Sequence, residues 1–308
     1  MKNKANEQNK TPAYMQISKP ANLVISLLFI ILALISVIPT AFCFIISLSS
    51  ETSIAQNGYR FIPSEWSLDA YVFLWEQRST IGNAFLVSFF ITVVGTGIGL
   101  ILNTSLAYAI SRNGYKLKKA LTIFIIIPML FQGGMVSSYM INTQMLGLKN
   151  SIWSLILPLA VSTWYIMILN TFFRTSVPDS LIESAKIDGA SQLVIFARIV
   201  LPISLPVLAT IGLFLTFLYW NDWFQAMLYI NSKHQDLYPL QYVLVSIQNN
   251  IDFISQNPNL SGYVDTSNIP SETARMAIVM VIVLPIACAY PFFQRYFVSG
   301  LTVGAVKG

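Results

Sequence analysis

The sequence predicts an all-α integral membrane protein with six transmembrane helices, and three observations carry that expectation. Hydrophobic residues make up 55% of the 308 and charged residues only 10%, where ordinary soluble domains are roughly a quarter charged. Mean hydropathy is correspondingly high, at +0.64. Apolar runs long enough to cross a hydrocarbon core of about 30 Å, which takes about 20 helical residues, fall at about 21–48, 82–110, 120–141, 151–173, 203–230 and 275–297. Finally, basic residues segregate between alternate connections, thirteen Lys and Arg against five. The rule that cytoplasmic loops carry the excess places both termini inside the cell.

In chain order, residues 1–20 form a polar tail with Lys2, Lys4, Lys10 and Lys19 against Glu7, a composition that predicts a disordered segment held at an anionic cytoplasmic surface. The run at 21–48 is too long for the apolar part of a cleaved signal peptide, so it is read as a retained first helix. Within 82–110, Gly95 and Gly99 stand four apart, a helix-packing pattern. In the third run Pro128 and Gly133-Gly134, and in the sixth Pro285 and Pro291, are expected to kink or loosen their helices. The outer segment from Asn231 to Thr273 is rich in Asn, Gln, Ser and Pro and reads as a long loop, either a docking surface or a solvated spacer.

One acid falls inside an apolar run. Asp222, in the sequence YWNDWF, would cost about 2.5–3.5 kcal/mol at a lipid-facing helix centre, so it is expected to face protein or water near the outer interface. Two readings stay open for it: a gate lined with Asn221, Tyr219, Trp220 and Trp223, or an interfacial acid bonded between helices within an aromatic belt.

The most informative stretch is 178–202. Pro178, Asp179 and the Ser180/Glu183 spacing suit a helix start near Asp179 with a capping box. Leu181, Ile182 and Ala185 give an apolar stripe bordered by Lys186. Gly189 suits the left-handed turn that ends a helix, Ser191 suits the cap of a second helix reaching Val200, and Leu201-Pro202 turns the chain into the next run. Such an elbow is either a docking surface for a soluble partner or a loop resting on headgroups.

The spacing Glu183, Ala185, Gly189, Ile199, Leu201, Pro202 resembles the EAA loop of ABC-importer permeases, with Ser184 in place of one Ala as the departure. WNDWFQAML in the fifth run, FQGGMVSSYM with LGLKNSIWSLILP around the third, and the closing RMAIVMVIVLPIACAYPFFQRYFVSGLTVGAVKG resemble the complex-carbohydrate branch of the maltose-type permeases. The likeness covers about residues 70–308. It implies a type I ABC importer transmembrane domain with cytoplasmic coupling helices, extending over 78–297, and a C-terminal cytoplasmic tail at 298–308. It also implies a homologous second permease, two cytoplasmic ATPases that bind the ATP and Mg, and an external solute-binding protein, in a prokaryotic cytoplasmic membrane.

On this resemblance Glu183, Ser184, Ala185, Lys186, Asp188, Gly189, Ile199, Leu201 and Pro202 would couple to the ATPase, and Gly300, Gly304 and Lys307 would contact it from the tail. Candidate residues for the solute path are Tyr139, Trp164, Asn170, Tyr219, Asn221 and Asp222, with Asn142 beside them. The solute implied is an oligosaccharide; a permease for peptides, amino acids or polyamines would share the same elbow. A self-contained carrier would need coupling groups in its spans, and Asp222 alone qualifies. No enzyme site is expected: His234 is the sole histidine, Cys43 and Cys288 lie far apart, and there is no G-x-x-x-x-G-K phosphate loop. No basic patch outside the topology-setting loops suggests nucleic acid.

Overall fold

A computed structural model describes residues 18–112, 114–131, 133–256 and 271–305. Among these, every long element is helical. The chain divides into two compact units, one containing the described residues up to Tyr71 together with Glu272–Met280, the other containing Val72–Ser271 with the rest of the last helix.

The first unit starts with α1, Lys19–Ser47. Bulky aliphatic and aromatic side chains surround it, and from Leu23 to Val37 they are exposed on every face, as expected where lipid tails serve as solvent. Only its end is packed, with Ile46 and Ser47 buried. The chain then reverses into α2, Glu51–Asn57, pinned by a bridge between Ser49 and Trp66. The Glu51 carboxylate accepts hydrogen bonds from the Glu272 and Thr273 backbone N–H groups at 2.9 and 3.0 Å and from Thr273 Oγ1 at 2.9 Å, satisfying donors at the start of the last helix where negative charge is favoured. Tyr59 donates to Glu272 Oε2 at 2.7 Å, and this bond, more than burial, raises the Tyr59 pKa above its ordinary value.

The short α3, Asp69–Glu76, leads into the second unit. Its axis is α4, Arg78–Ser111, whose buried face runs through Ala84, Ser88, Ile91, Gly95, Gly99, Asn103 and Ala107. These residues recur every three or four positions, so one stripe of small and polar side chains lets other helices approach closely. A Cβ on Gly95 would stand 2.5 Å from the Tyr219 ring, and one on Gly99 would stand 3.0 Å from Leu215 and 3.2 Å from the Ala160 carbonyl oxygen. The glycine pair therefore acts in packing, as its spacing predicts.

Among the described residues, three helices are long and apolar enough to cross a membrane, Pro20–Ser47, Arg78–Ser111 and Ser271–Cys288, and two bent pairs, Trp153–Leu159 with Thr163–Ser176 and Gln192–Ile203 with Leu205–Trp220, raise the number to five if each pair is one span. That is one short of the expected six. The third run is the one that differs. Its helix α5, Lys118–Leu130, stops after 13 residues, Phe131 is extended, and α6, Gly134–Met140, begins at a glycine with φ of +78° before a wide turn at Ile141–Met145. Pro128 thus lies inside α5 two residues before its end, and the glycines stand where α6 begins, so the run is interrupted rather than merely bent.

The fourth run is split into α7, Trp153–Ile156 with a tighter turn at Leu157–Leu159, and α8, Thr163–Ser176, bent by 49°. After α8 come α9, Asp179–Ile187; α10, Gln192–Ile195; a wide turn at Phe196–Val200; α11, Leu201–Ile203; and α12, Leu205–Trp220. The fifth run is broken as well: α12 ends at Trp220 and α13, Phe224–Tyr229, follows. Much of the expected outer loop is in fact α14, Leu240–Gln256. Leu240, Val243, Leu244, Ile247 and Ile251 are buried, the helical period that the segment's polar composition hides. Its start is fixed by Leu240 N–H donating to Ser88 Oγ at 2.8 Å. The last helix, α15, Ser271–Ala305, continues through Pro285 and Pro291.

Candidate functional site

The elbow between α8 and α12 is built locally. Val177 and Pro178 are extended, and Pro178 takes the cap position of α9. Ser180 therefore sits inside the first turn and no side-chain cap bond forms, so the expected capping box is absent although the helix begins at Asp179 as expected. The far end of α9 is a Schellman turn: Gly189 N–H donates to Lys186 O at 3.0 Å and Ala190 N–H to Ala185 O at 2.9 Å, with Gly189 at φ of +79°. That conformation is the one glycine supplies without penalty. Ser191 Oγ then accepts from Val194 N–H, capping α10, and the chain bends by 82° into α12.

The elbow has an anchored side and a free side. Ile182, Ile195 and Val200 are buried, with Ala185 and Ile199 packed against the same core. Glu183, Ser184, Lys186, Asp188, Gly189 and Pro202 are exposed, whereas Leu201 is half-buried. Leu181, in the expected apolar stripe, is 45% exposed, and the free side also carries Ile187 at 87% and Leu193 at 79%. These two were not singled out by the sequence, yet burying such side chains against a partner is worth about 1.5–3 kcal/mol each.

Two further residues missed by sequence reasoning hold the elbow from the end of α4. Arg112 donates through Nη2 to the Phe173 carbonyl at 2.9 Å, near the end of α8, and through Nη1 to Asp179 Oδ1 at 3.3 Å, in the first turn of α9. Its guanidinium also lies 5.4 Å from the Tyr108 ring centre. Tyr108 packs on Phe196 at 4.8 Å between ring centres and donates to Gln192 Oε1 at 3.0 Å. The only signal in the sequence was a basic residue closing an apolar run, which topology explains equally well.

The six path candidates do not converge on one surface. Tyr139 stacks on Tyr229 at 6.0 Å, and Asn142 Nδ2 donates to the Tyr229 hydroxyl at 3.1 Å. Asn142 and Tyr229, but not Tyr139 itself, border a cavity of about 550 Å3 lined also by Phe131, Ser138, Phe224 and Gln225, a size and mixture typical of small-molecule sites. Trp164 is exposed and heads a stripe on α8 that continues through Met167, Ile168, Thr171 and Thr175. Asn170 lies on the opposite, buried face. Tyr219 is buried, and its hydroxyl donates to Ile156 O at 2.8 Å, so it is a packing residue. Asn221 is exposed with Nδ2 donating to Phe217 O, and Asp222 accepts from Gln225 N–H at 3.2 Å. The acid therefore caps the break before α13.

Gly300 and Gly304 lie in α15, while Lys307 falls outside the described residues. No cluster of three or more potential metal ligands occurs among the described residues.

The described residues thus form a helical membrane protein with an elbow that is anchored on one side and exposes Leu181, Ile187 and Leu193 on the other. The chain belongs to the family of binding-protein-dependent transport system inner membrane components, whose model matches residues 95–303. It is 37% identical over 276 residues to the polygalacturonan/rhamnogalacturonan transport system permease protein YtcP of Bacillus subtilis, covering 90% of this chain and 94% of that one. It is also 28% identical over 289 residues to the arabinooligosaccharides transport system permease protein AraQ of Halalkalibacterium halodurans, covering 91% and 94%. Among solved structures, a bacterial ABC transporter involved in the import of the acidic polysaccharide alginate matches with a TM-score of 0.76 and 27% identity, over 93% of this chain and all of that chain.

Proposed function

We propose that this chain is the permease subunit of an ATP-driven ABC importer that carries an oligosaccharide across the cytoplasmic membrane by alternating access. The elbow carries this reading: Ile182, Ile195 and Val200 are rooted in the core while Glu183, Ile187 and Leu193 project from it. That arrangement suits a cytoplasmic ATPase that pushes on the free side and moves the spans through the rooted side. The chain crosses six times, the third crossing being made by the broken α5–α6 pair, and both termini are cytoplasmic. It pairs with a homologous permease and two ATPases that bind ATP and Mg, and receives solute from an external binding protein.

The carbohydrate assignment rests on relatives named for polygalacturonan/rhamnogalacturonan, arabinooligosaccharides and alginate. Tyr139, Asn142 and the neighbouring cavity, with Trp164 on α8, line the path. Aromatic faces flanked by amides suit sugar rings, which present C–H faces and hydroxyl edges. Asn221 and Asp222 stand at its outer end, and the tail carrying Gly300, Gly304 and Lys307 reaches the ATPases.

The test uses the reconstituted complex with labelled oligosaccharides. Ile187→Asp and Glu183→Ala should leave the permease pair assembled while abolishing uptake, and Lys186→Cys should resist a membrane-impermeant thiol reagent applied from outside. Full uptake by both variants, or labelling of Lys186→Cys from outside, refutes the coupling role.

A further inference from the structure

The break between α7 and α8 leaves backbone groups without helical partners at membrane depth, and their accounting converges on one side chain. Ala160 N–H turns back to Leu157 O at 3.2 Å, which leaves Ile156 O to the Tyr219 hydroxyl. Ala160 O accepts from Asn103 Nδ2 at 2.8 Å, and Ser162 N–H donates to Asn103 Oδ1 at 2.9 Å. Asn103 Nδ2 also donates to Gly99 O at 2.6 Å on its own helix. The side chain is fully buried and spends both donor and acceptor on the break. A backbone group left unpaired there would bear its desolvation cost without a compensating bond. The approach is possible because Gly99 has no Cβ facing the Ala160 carbonyl.

α8 is thus tied to α4 at both ends, through Asn103 at its start and through Arg112 to the Phe173 carbonyl near its finish. Thr163 Oγ1 adds a bond to Ile125 O at 2.8 Å, joining α5 to the same point. Two helices pinned at two points move as one body. Resting on the coupling reading above, we infer that Asn103 is a positioning residue for transport: it locks the 49° break so that displacement of the elbow reaches the outer half of the membrane instead of being absorbed between residues 160 and 162. A break held only by apolar packing would flex, and ATP would be hydrolysed without a full excursion of the path.

The experiment compares solute uptake with ATP hydrolysis in the complete complex, reconstituted in lipid vesicles with solute-loaded binding protein. Asn103→Leu, branched at the same atom but larger and without polar atoms, should keep the complex assembled and hydrolysis near wild type while ATP consumed per solute rises about tenfold, within the range by which buried networks alter coupling. Asn103→Asp carries the test independently of whether N103L assembles. Its carboxyl can replace the amide only when protonated, donating to Ala160 O while accepting from Ser162 N–H, so its coupling should recover as the medium is acidified, a response that a volume-filling role would not produce. If N103L assembles with an unchanged ratio, or N103D shows no pH-dependent recovery, the inference falls while the importer reading stands. If the wild-type complex itself fails to hydrolyse ATP in response to loaded binding protein, both fall.

Discussion

α1 and α4 are both long and apolar, and a hydropathy scale ranks α1 as the more membrane-like of the two, at 2.8 against 2.4 over the most apolar window. Their surroundings are opposite. α1 presents Leu, Ile, Phe and Val on every face and leaves them exposed, whereas α4 interrupts its apolar run with Ser88, Gly95, Gly99 and Asn103 on one side and buries that side. Since lipid tails are as apolar as leucine, hydrophobicity drives a helix into the bilayer but supplies little force to join it to another helix. Close approach and shared hydrogen bonds supply that force. Small and polar residues, which lower the hydropathy of α4, are what make it the axis of its unit.

Substitutions can break or sharpen this contrast. The largest effect is expected at Gly95, where even one added carbon would stand 2.5 Å from the Tyr219 ring, a ring held by its bond to Ile156 O. Gly95→Leu should cost more than the typical overpacking penalty of about 1–3 kcal/mol and leave little monodisperse protein after solubilisation. Part of the yield should return in the Gly95→Leu, Tyr219→Ala double variant. Full stability of Gly95→Leu alone would show that the helices are not packed this closely.

Next comes Arg112. Its bond to the Phe173 carbonyl is a charged, part-buried hydrogen bond, a class worth about 1.5–3 kcal/mol. Its ion pair reaches an Asp179 side chain that is 71% exposed, where about 0–1 kcal/mol is typical. Arg112→Ala should therefore lower uptake about tenfold or more, and Asp179→Asn should change it less than about twofold. An equal loss in both would transfer the weight from the carbonyl to the ion pair. The smallest effect is expected on α1. Leu28→Ala should alter the thermal stability of the purified chain by less than about 0.5 kcal/mol. A loss approaching that of Gly95→Leu would reveal a protein surface covering α1.

The same contrast explains which features were legible in advance. The start of α9 at Asp179, the glycine turn at 189 and the Ser191 cap were readable because each depends on residues within a few positions of one another. The capping box failed for an equally local reason, since Pro178 took the cap position. The end of α5 was underestimated because composition alone does not say whether proline or glycine bends a helix or ends it, and the break at 221–223, Asn-Asp-Trp, has neither residue to announce it. The stripe of Leu181, Ile182 and Ala185 was legible, but helical period defines a face and not which direction that face points, and Leu181 is exposed. Among the path candidates, Asn170 and Tyr219 have chemistry suited to a solute, but packing places both in the core.

The order of the residues alone determined that this chain is a helical membrane protein with an elbow at 178–202, because hydropathy, proline, glycine and caps act over a few bonds. Only the tertiary structure decided what Asn103, Arg112 and Tyr219 do. Their partners at Ala160, Phe173 and Ile156 lie 57, 61 and 63 positions away, and no local pattern in a sequence encodes where a helix break will meet the side chain that satisfies it.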